Sequence, residues 1–187
     1  MSDYQHLTQV ILKEIDDSLR SVAPESLDML RQSIRGAARI YVAGKGRSGL
    51  YMRAFAMRLM HLGLGVYVVD DVTTPGICEG DLLIIGSGSG TTASLVNYAE
   101  KAKKAGARVA LVTAARTSPV GNLADCIVHI SAPSPKTTAP DVKASIQPMA
   151  NLFEQTLGLA LDIVTIQLMD DLNMTSEQMF ARHANLE

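Results

Sequence analysis

Two segments of the sequence combine glycine with hydroxyl side chains in a pattern suited to gripping an anion. They are Gly44-Lys45-Gly46-Arg47-Ser48-Gly49 and Gly86-Ser87-Gly88-Ser89-Gly90-Thr91-Thr92. Glycine allows the backbone to approach a ligand closely, and a helix that follows such a turn presents unpaired N–H groups at its positive end. Serine and threonine hydroxyls add donors that suit a phosphate carrying no metal. Ser48, Ser87, Ser89 and Thr91 are the candidate phosphate ligands, with Gly46, Gly88 and Gly90 permitting the approach. Lys45 and Arg47 are either solvated charges or a source of attraction to the same phosphate. Thr73, Thr74 and Asp141 are further, weaker candidates for hydroxyl contacts to the rest of the ligand.

The first segment also fits G-x-G-x-x-G, with Asp70 about 20 residues downstream, which is the dinucleotide fingerprint. That reading leaves the second segment unexplained. It also asks for a larger sheet and a substrate domain that 187 residues hardly accommodate.

The elements around these segments predict how they are placed. Short apolar runs at Arg39–Ala43, Val66–Val69, Leu82–Ile85, Val109–Val112 and Cys126–Ile130 do not alternate with polar residues, as expected of strands covered on both faces. Between them, Gly49–Leu62 and Thr92–Ala105 have helical spacing, Gly106 stopping the second. Alternating helices and buried strands imply a three-layer αβα sandwich, α/β in class, around a five-stranded parallel sheet. In such sheets ligands bind outside the carboxyl ends of the strands, where both glycine segments fall.

Ahead of the first strand, Leu7, Ile11, Ile15, Leu19 and Val22 mark an amphipathic helix that Pro24 is expected to end. Ser26–Ile34 follows as a second helix closed by Gly36, so residues 1–36 form an N-terminal helical segment and 37–187 the core and C-terminal helical tail of one domain. Ala132–Gln147 reads as a loop, either an ordered lid or a plain connection. Met149–Asp170 reads as one long helix, apolar on two sides. It therefore either lies at the centre of its own core or meets a neighbouring subunit.

The composition belongs to a soluble globular chain, with 47% hydrophobic and 19% charged residues. A net charge of −2 gives no basic face for nucleic acid. Cys78 and Cys126 form no C-x-x-C pair, so neither a disulfide framework nor a metal site is expected, and a reducing cytoplasm is the default. The acidic and basic residues among the first 20 exclude a signal peptide, and the apolar runs read as strand-sized, too short to span a bilayer.

With both glycine segments in view, the sequence resembles the 6-phospho-3-hexuloisomerases, members of the SIS (sugar isomerase) phosphosugar-binding family. The residues that carry the resemblance are Gly46-Arg47-Ser48-Gly49, Phe55 to Gly63, Thr74-Pro75 with Glu79-Gly80-Asp81, and Gly86 to Thr91. Gln147-Pro148-Met149, Leu152-Phe153-Glu154-Gln155-Thr156 and the tail Arg182-His183-Ala184-Asn185-Leu186 complete them. The serine–glycine loop marks the superfamily; the R-L-M-H-L-G, P-M…F-E and H-A-N-L segments are more specific. Lys45, Ala150 and Asn151 depart from the family pattern.

The resemblance implies a flavodoxin-like SIS fold and a cytoplasmic homotetramer. It also implies cofactor-free, metal-free interconversion of a 3-hexulose 6-phosphate with fructose 6-phosphate, as in the ribulose monophosphate pathway. It implies Glu154 as the base and His183 as a group moving protons at a sugar oxygen, in its own cleft or a neighbour's; His61, a lone histidine on a helix, is either a packed residue or a third participant. Related readings remain at this point: an SIS isomerase of arabinose 5-phosphate or sedoheptulose 7-phosphate, or a phosphosugar-binding module without turnover.

Overall fold

The computed structural model describes residues 3–134 and 144–186. Two helices, α1 (Tyr4–Arg20) and α2 (Pro24–Arg35), precede β1 (Ile40–Gly44), α3 (Gly46–His61) and β2 (Val66–Val68). Then follow β3 (Leu82–Gly86), α4 (Ala93–Lys104), β4 (Arg108–Thr113), β5 (Cys126–His129), α5 (Asn151–Leu172) and α6 (Ser176–Phe180). The strands form one parallel sheet in the order β2-β1-β3-β4-β5.

Each strand points alternate residues to opposite faces, and both faces are covered, which is why the runs are apolar throughout. Ile40, Val42, Leu82, Ile84, Ala110 and Val112 face a core built with α2, α3 and α5. Tyr41, Ala43, Leu83, Ile85, Val109 and Leu111 face a second core under α4. The three layers are those expected. Because α3 leaves β1 toward one face and α4 leaves β3 toward the other, the crevice between β1 and β3 is the point where the winding reverses. Ligands of doubly wound sheets bind at that point. Gly44 and Gly86 are direct partners in the β1–β3 ladder, so the two glycine segments begin side by side.

Three boundaries differ from the sequence reading. Pro24 does not end α1, which stops at Arg20; it is the first residue of α2, where its missing N–H costs nothing. Helix α3 starts at Gly46 rather than Gly49, so much of the first glycine segment is the opening turn of a helix. The long helix runs two residues later at both ends than expected, and Asn173 in the left-handed conformation closes it. That helix is long and apolar enough to cross a membrane by length and composition, contrary to the strand-sized reading, but half of its apolar window is buried within the chain against its own neighbours. Of the Ala132–Gln147 loop, residues 135–143 lie outside the described residues, and Asp141 with them.

The starts of β1 and β3 are tied by a buried carboxylate. Asp81 is fully buried and takes two hydrogen bonds from the Arg39 guanidinium, at 2.7 and 3.1 Å, and one from the Cys78 backbone N–H at 2.9 Å. Burial alone raises its pKa; the bonds from Arg39 and Cys78 outweigh it and hold the carboxyl below the ordinary aspartate value. Its stabilisation is therefore complete above the unfolded pKa and fades as pH falls through the depressed folded value. Asp81→Asn should lower Tm by roughly 5 °C at pH 7, with the difference from the parent shrinking as pH falls below the ordinary aspartate range. Melting curves of both proteins across that range measure it.

Candidate active site

The β1–β3 crevice opens into a cleft of about 200 Å³. Its floor is Gly86 and Ser87, one wall carries Lys45 and Ser48, and the loop to α4 supplies Gly88, Ser89 and Thr92. The opposite wall is the start of α5, with Met149, Ala150, Phe153 and Glu154. Ser48, Ser87 and Ser89 are all buried in this lining.

The second glycine segment is held by its own hydroxyls. Ser87 Oγ accepts from the Gly90 N–H at 3.1 Å, and Ser89 Oγ accepts from the Thr91 N–H at 3.3 Å and the Thr91 hydroxyl at 2.9 Å. An oxygen that accepts a backbone N–H keeps its own hydrogen for donation, so the turn orients two O–H donors before any ligand arrives. Gly90 sits at φ +61°, a conformation glycine adopts without strain, and Gly88 lies against Phe153, where a Cβ would come within 3.3 Å of the ring.

Glu154 stands in the first turn of α5 with its side chain largely buried, 14% exposed. Arg47 reaches it from the start of α3, with Nη1 3.4 Å from Oε2. The same guanidinium nitrogen donates to the side-chain oxygen of Asn151, so Asn151 and Glu154 share one cation between the starts of α3 and α5. This arrangement brings a carboxylate, a guanidinium and a hydroxyl-lined turn into one small space. A phosphate at the floor and a proton-accepting carboxylate on the wall are what a short phosphorylated sugar chain requires for proton transfer between its carbons.

The other sequence candidates fall elsewhere in this chain. Thr74 donates its hydroxyl to the Val68 carbonyl at 2.6 Å and lines a separate pocket under α4 with Tyr41, Pro75 and Tyr98. His61 ends α3, nearly the whole 16-residue helix away from Ser48, roughly 20 Å at 1.5 Å per residue. It is buried and stacks on His183, ring centres 5.4 Å apart; His183 stacks in turn on Phe180. Burial, with Arg58 and His183 nearby, holds the His61 pKa below the usual histidine value. The two histidines therefore meet each other and not Glu154 of the same chain.

Asp70, the acidic residue of the dinucleotide fingerprint, is engaged by Lys45 at 2.6 Å and by the Tyr98 hydroxyl at 2.7 Å. A ribose would have to compete with both for the carboxylate. The contacts that sequence reasoning missed are these side-chain pairings, together with Ser134, Met149 and Leu95 in the cleft lining. The P-M and F-E pairs around the helix start carried the signal for Met149 and its neighbours; Ser134 and Leu95 had none.

Comparison with known proteins places the chain among its relatives. The family model for the SIS domain matches residues 33–160. A 3-hexulose-6-phosphate isomerase of Bacillus subtilis (strain 168) is 45% identical over 177 residues, covering 95% of each chain. One from Mycobacterium gastri is 44% identical over 185 residues, covering 99% of this chain and 92% of its own. Among solved structures, a Methanococcus jannaschii protein whose crystal structure was read as inferring the function of a 3-hexulose-6-phosphate isomerase superposes with a TM-score of 0.82. It is 34% identical and covers 97% of this chain and 99% of its own.

Proposed function

The chain belongs to the SIS domain family, and from that premise we propose that it is a 3-hexulose-6-phosphate isomerase, interconverting the 3-keto sugar phosphate with fructose 6-phosphate. The observation that carries this reading is the pairing of Glu154 with a hydroxyl-lined phosphate turn across one cleft. The nearly full-length relatives of that activity support it from a second direction.

In this reading the linear sugar lies with its 6-phosphate on Ser48, Ser87 and Ser89 and its carbonyl end toward α5. The Glu154 carboxylate takes the proton from C2 of the 3-hexulose, and the C3 carbonyl oxygen gains a proton as the C2–C3 enediol forms. Return of a proton to C3, with loss of the hydroxyl proton at O2, leaves the carbonyl at C2 and yields fructose 6-phosphate. No electron leaves the sugar, so carbon oxidation at C2 balances reduction at C3. The Arg47 guanidinium, beside the carboxylate, stabilises charge that develops on the enediolate oxygens in this reading.

His183 and His61 lie too far from Glu154 of their own chain to move these protons there. A second copy packed on α3 and α5 supplies the route by which His183 reaches a cleft. Leu159, Ile163 and Ile166 on α5, with Met57 and Met60 on α3, are apolar and exposed in the single chain, which supports self-association; a tetramer is the expectation.

The deciding experiment incubates the protein with fructose 6-phosphate in deuterated water, without added cofactor. Isomerase action places deuterium at C2 of the hexulose formed and at C3 of the recovered ketose, both read by NMR. Retention of hydrogen at C3 after long incubation defeats the proposal, and turnover of arabinose 5-phosphate or sedoheptulose 7-phosphate instead would move the enzyme to another substrate in the family.

A further inference from the structure

The start of α5, which carries Glu154, is not secured by a cap of its own. Ala150 precedes the helix with no side-chain hydrogen bond to the first turn, and Met149 just before it is in the left-handed region at φ +59°. A residue held in that region persists when its surroundings over-determine it. The surroundings here include a carboxylate from the other end of the sequence.

Glu14, on α1, takes three hydrogen bonds from the segment leading into α5. Its Oε2 accepts from Ser145 Oγ at 2.7 Å and from Gln147 Nε2 at 3.1 Å, and its Oε1 accepts from the Ile146 backbone N–H at 2.8 Å. Ser145 Oγ also accepts from the Gln147 N–H at 3.0 Å, so the segment closes on itself around the carboxylate. Burial works against the ionised form, yet the bonds from Ser145, Ile146 and Gln147 prevail and keep the carboxyl below the ordinary glutamate pKa. Glu14 itself is absent from the cleft lining, whereas Met149, Ala150 and Glu154, which follow directly on the clamped segment, are part of it.

We propose that Glu14 is a positioning residue: its carboxylate clamps Ser145, Ile146 and Gln147 and thereby sets where the start of α5 presents Glu154 and Asn151 to the substrate. The role rests on the isomerase reading for its chemistry and on the hydrogen bonds alone for its geometry. It acts on the wall of the cleft that carries the base and leaves the phosphate floor, built on β1 and β3, as it was. The signature is thus a loss in kcat with little change in KM. A misplaced base costs rate steeply, because the reacting atoms must stay within near-contact geometry.

The test compares the parent with Glu14→Ala and Glu14→Gln by two readouts on folded protein. Hydrogen exchange at the Ile146 amide, which donates to Glu14, should quicken about tenfold or more in Glu14→Ala. In the isomerase assay kcat should fall about tenfold, with KM within about twofold, and Glu14→Gln, which keeps the length and an acceptor oxygen, should recover most of the rate. Ser145→Ala cuts the same link from the other side and should move both readouts in the same direction, which keeps the test available if Glu14→Ala does not fold. Unchanged exchange at Ile146 overturns the clamp. Faster exchange with parental kcat, or a KM that rises in step with the loss of rate, overturns the positioning role. A parent inactive on hexulose and fructose phosphates defeats the isomerase reading and the catalytic half of this one, and the exchange result still decides the clamp.

Discussion

Glu154→Gln is expected to reduce kcat by about three orders of magnitude while leaving folding and phosphosugar binding close to those of the parent. Glutamine matches glutamate in length and retains an oxygen toward Arg47, which also keeps its bond to Asn151. What it lacks is the capacity to accept a proton from carbon. The phosphate turn of residues 87–91 is held by its own hydroxyls and does not depend on the carboxylate. The variant should therefore show a KM, or a Kd for fructose 6-phosphate, within a few-fold of the parent and a matching Tm. A loss confined to kcat assigns the charge-bearing oxygen to the transition state, since uniform binding would have appeared in KM. If the variant exchanges the C3 hydrogen of fructose 6-phosphate at the parental rate, Glu154 is not the base, and His183 of a second copy becomes the group to test next.

The contrast between what the sequence disclosed and what it hid follows from the range of the forces involved. Strands such as Leu82–Gly86 announce themselves because a wholly buried strand must be apolar at every position. The two glycine segments were legible for a related reason, as glycine and hydroxyl residues at strand ends have few structural uses besides close backbone approach. Side-chain pairings leave no such trace. Arg47 meets Asn151 across 104 positions of sequence, and Glu14 meets Ser145 across 131, with no periodicity to link them. Thr74 lies in a matching motif, yet its hydroxyl is spent on the Val68 carbonyl within its own turn, a local alternative always open to threonine. Pro24 reads equally as a stop or a start because proline both ends helices and begins them, and only the preceding break at Ser21 decides between the two.

Gly49→Ala should badly damage the phosphate floor, for a reason that lies in the backbone. A Cβ at position 49 would sit 2.7 Å from the Gly44 carbonyl oxygen and 2.9 Å from its carbon. Neither atom belongs to a flexible side chain, and Gly44 is fixed by its pairing with Gly86 in the sheet. The first turn of α3 must therefore lift off the end of β1, carrying Ser48 away from Ser87. Overpacking of this kind costs about 3 kcal/mol, which for a chain of this size lowers Tm by roughly 10 °C. Phosphate affinity should drop by about tenfold or more as the two loops separate, a loss of roughly 1.4 kcal/mol in binding. Gly46→Ala separates steric closure from backbone strain. At φ +57° alanine is disfavoured there, but nothing lies within 4 Å of its Cβ, so the cost is about 1–2 kcal/mol of backbone strain without displacement of the helix. Calorimetry and inorganic-phosphate titration of the two variants should thus rank Gly49→Ala well below Gly46→Ala in both stability and affinity. Equal behaviour of the two would mean that the β1–α3 contact does not set the spacing of the phosphate donors.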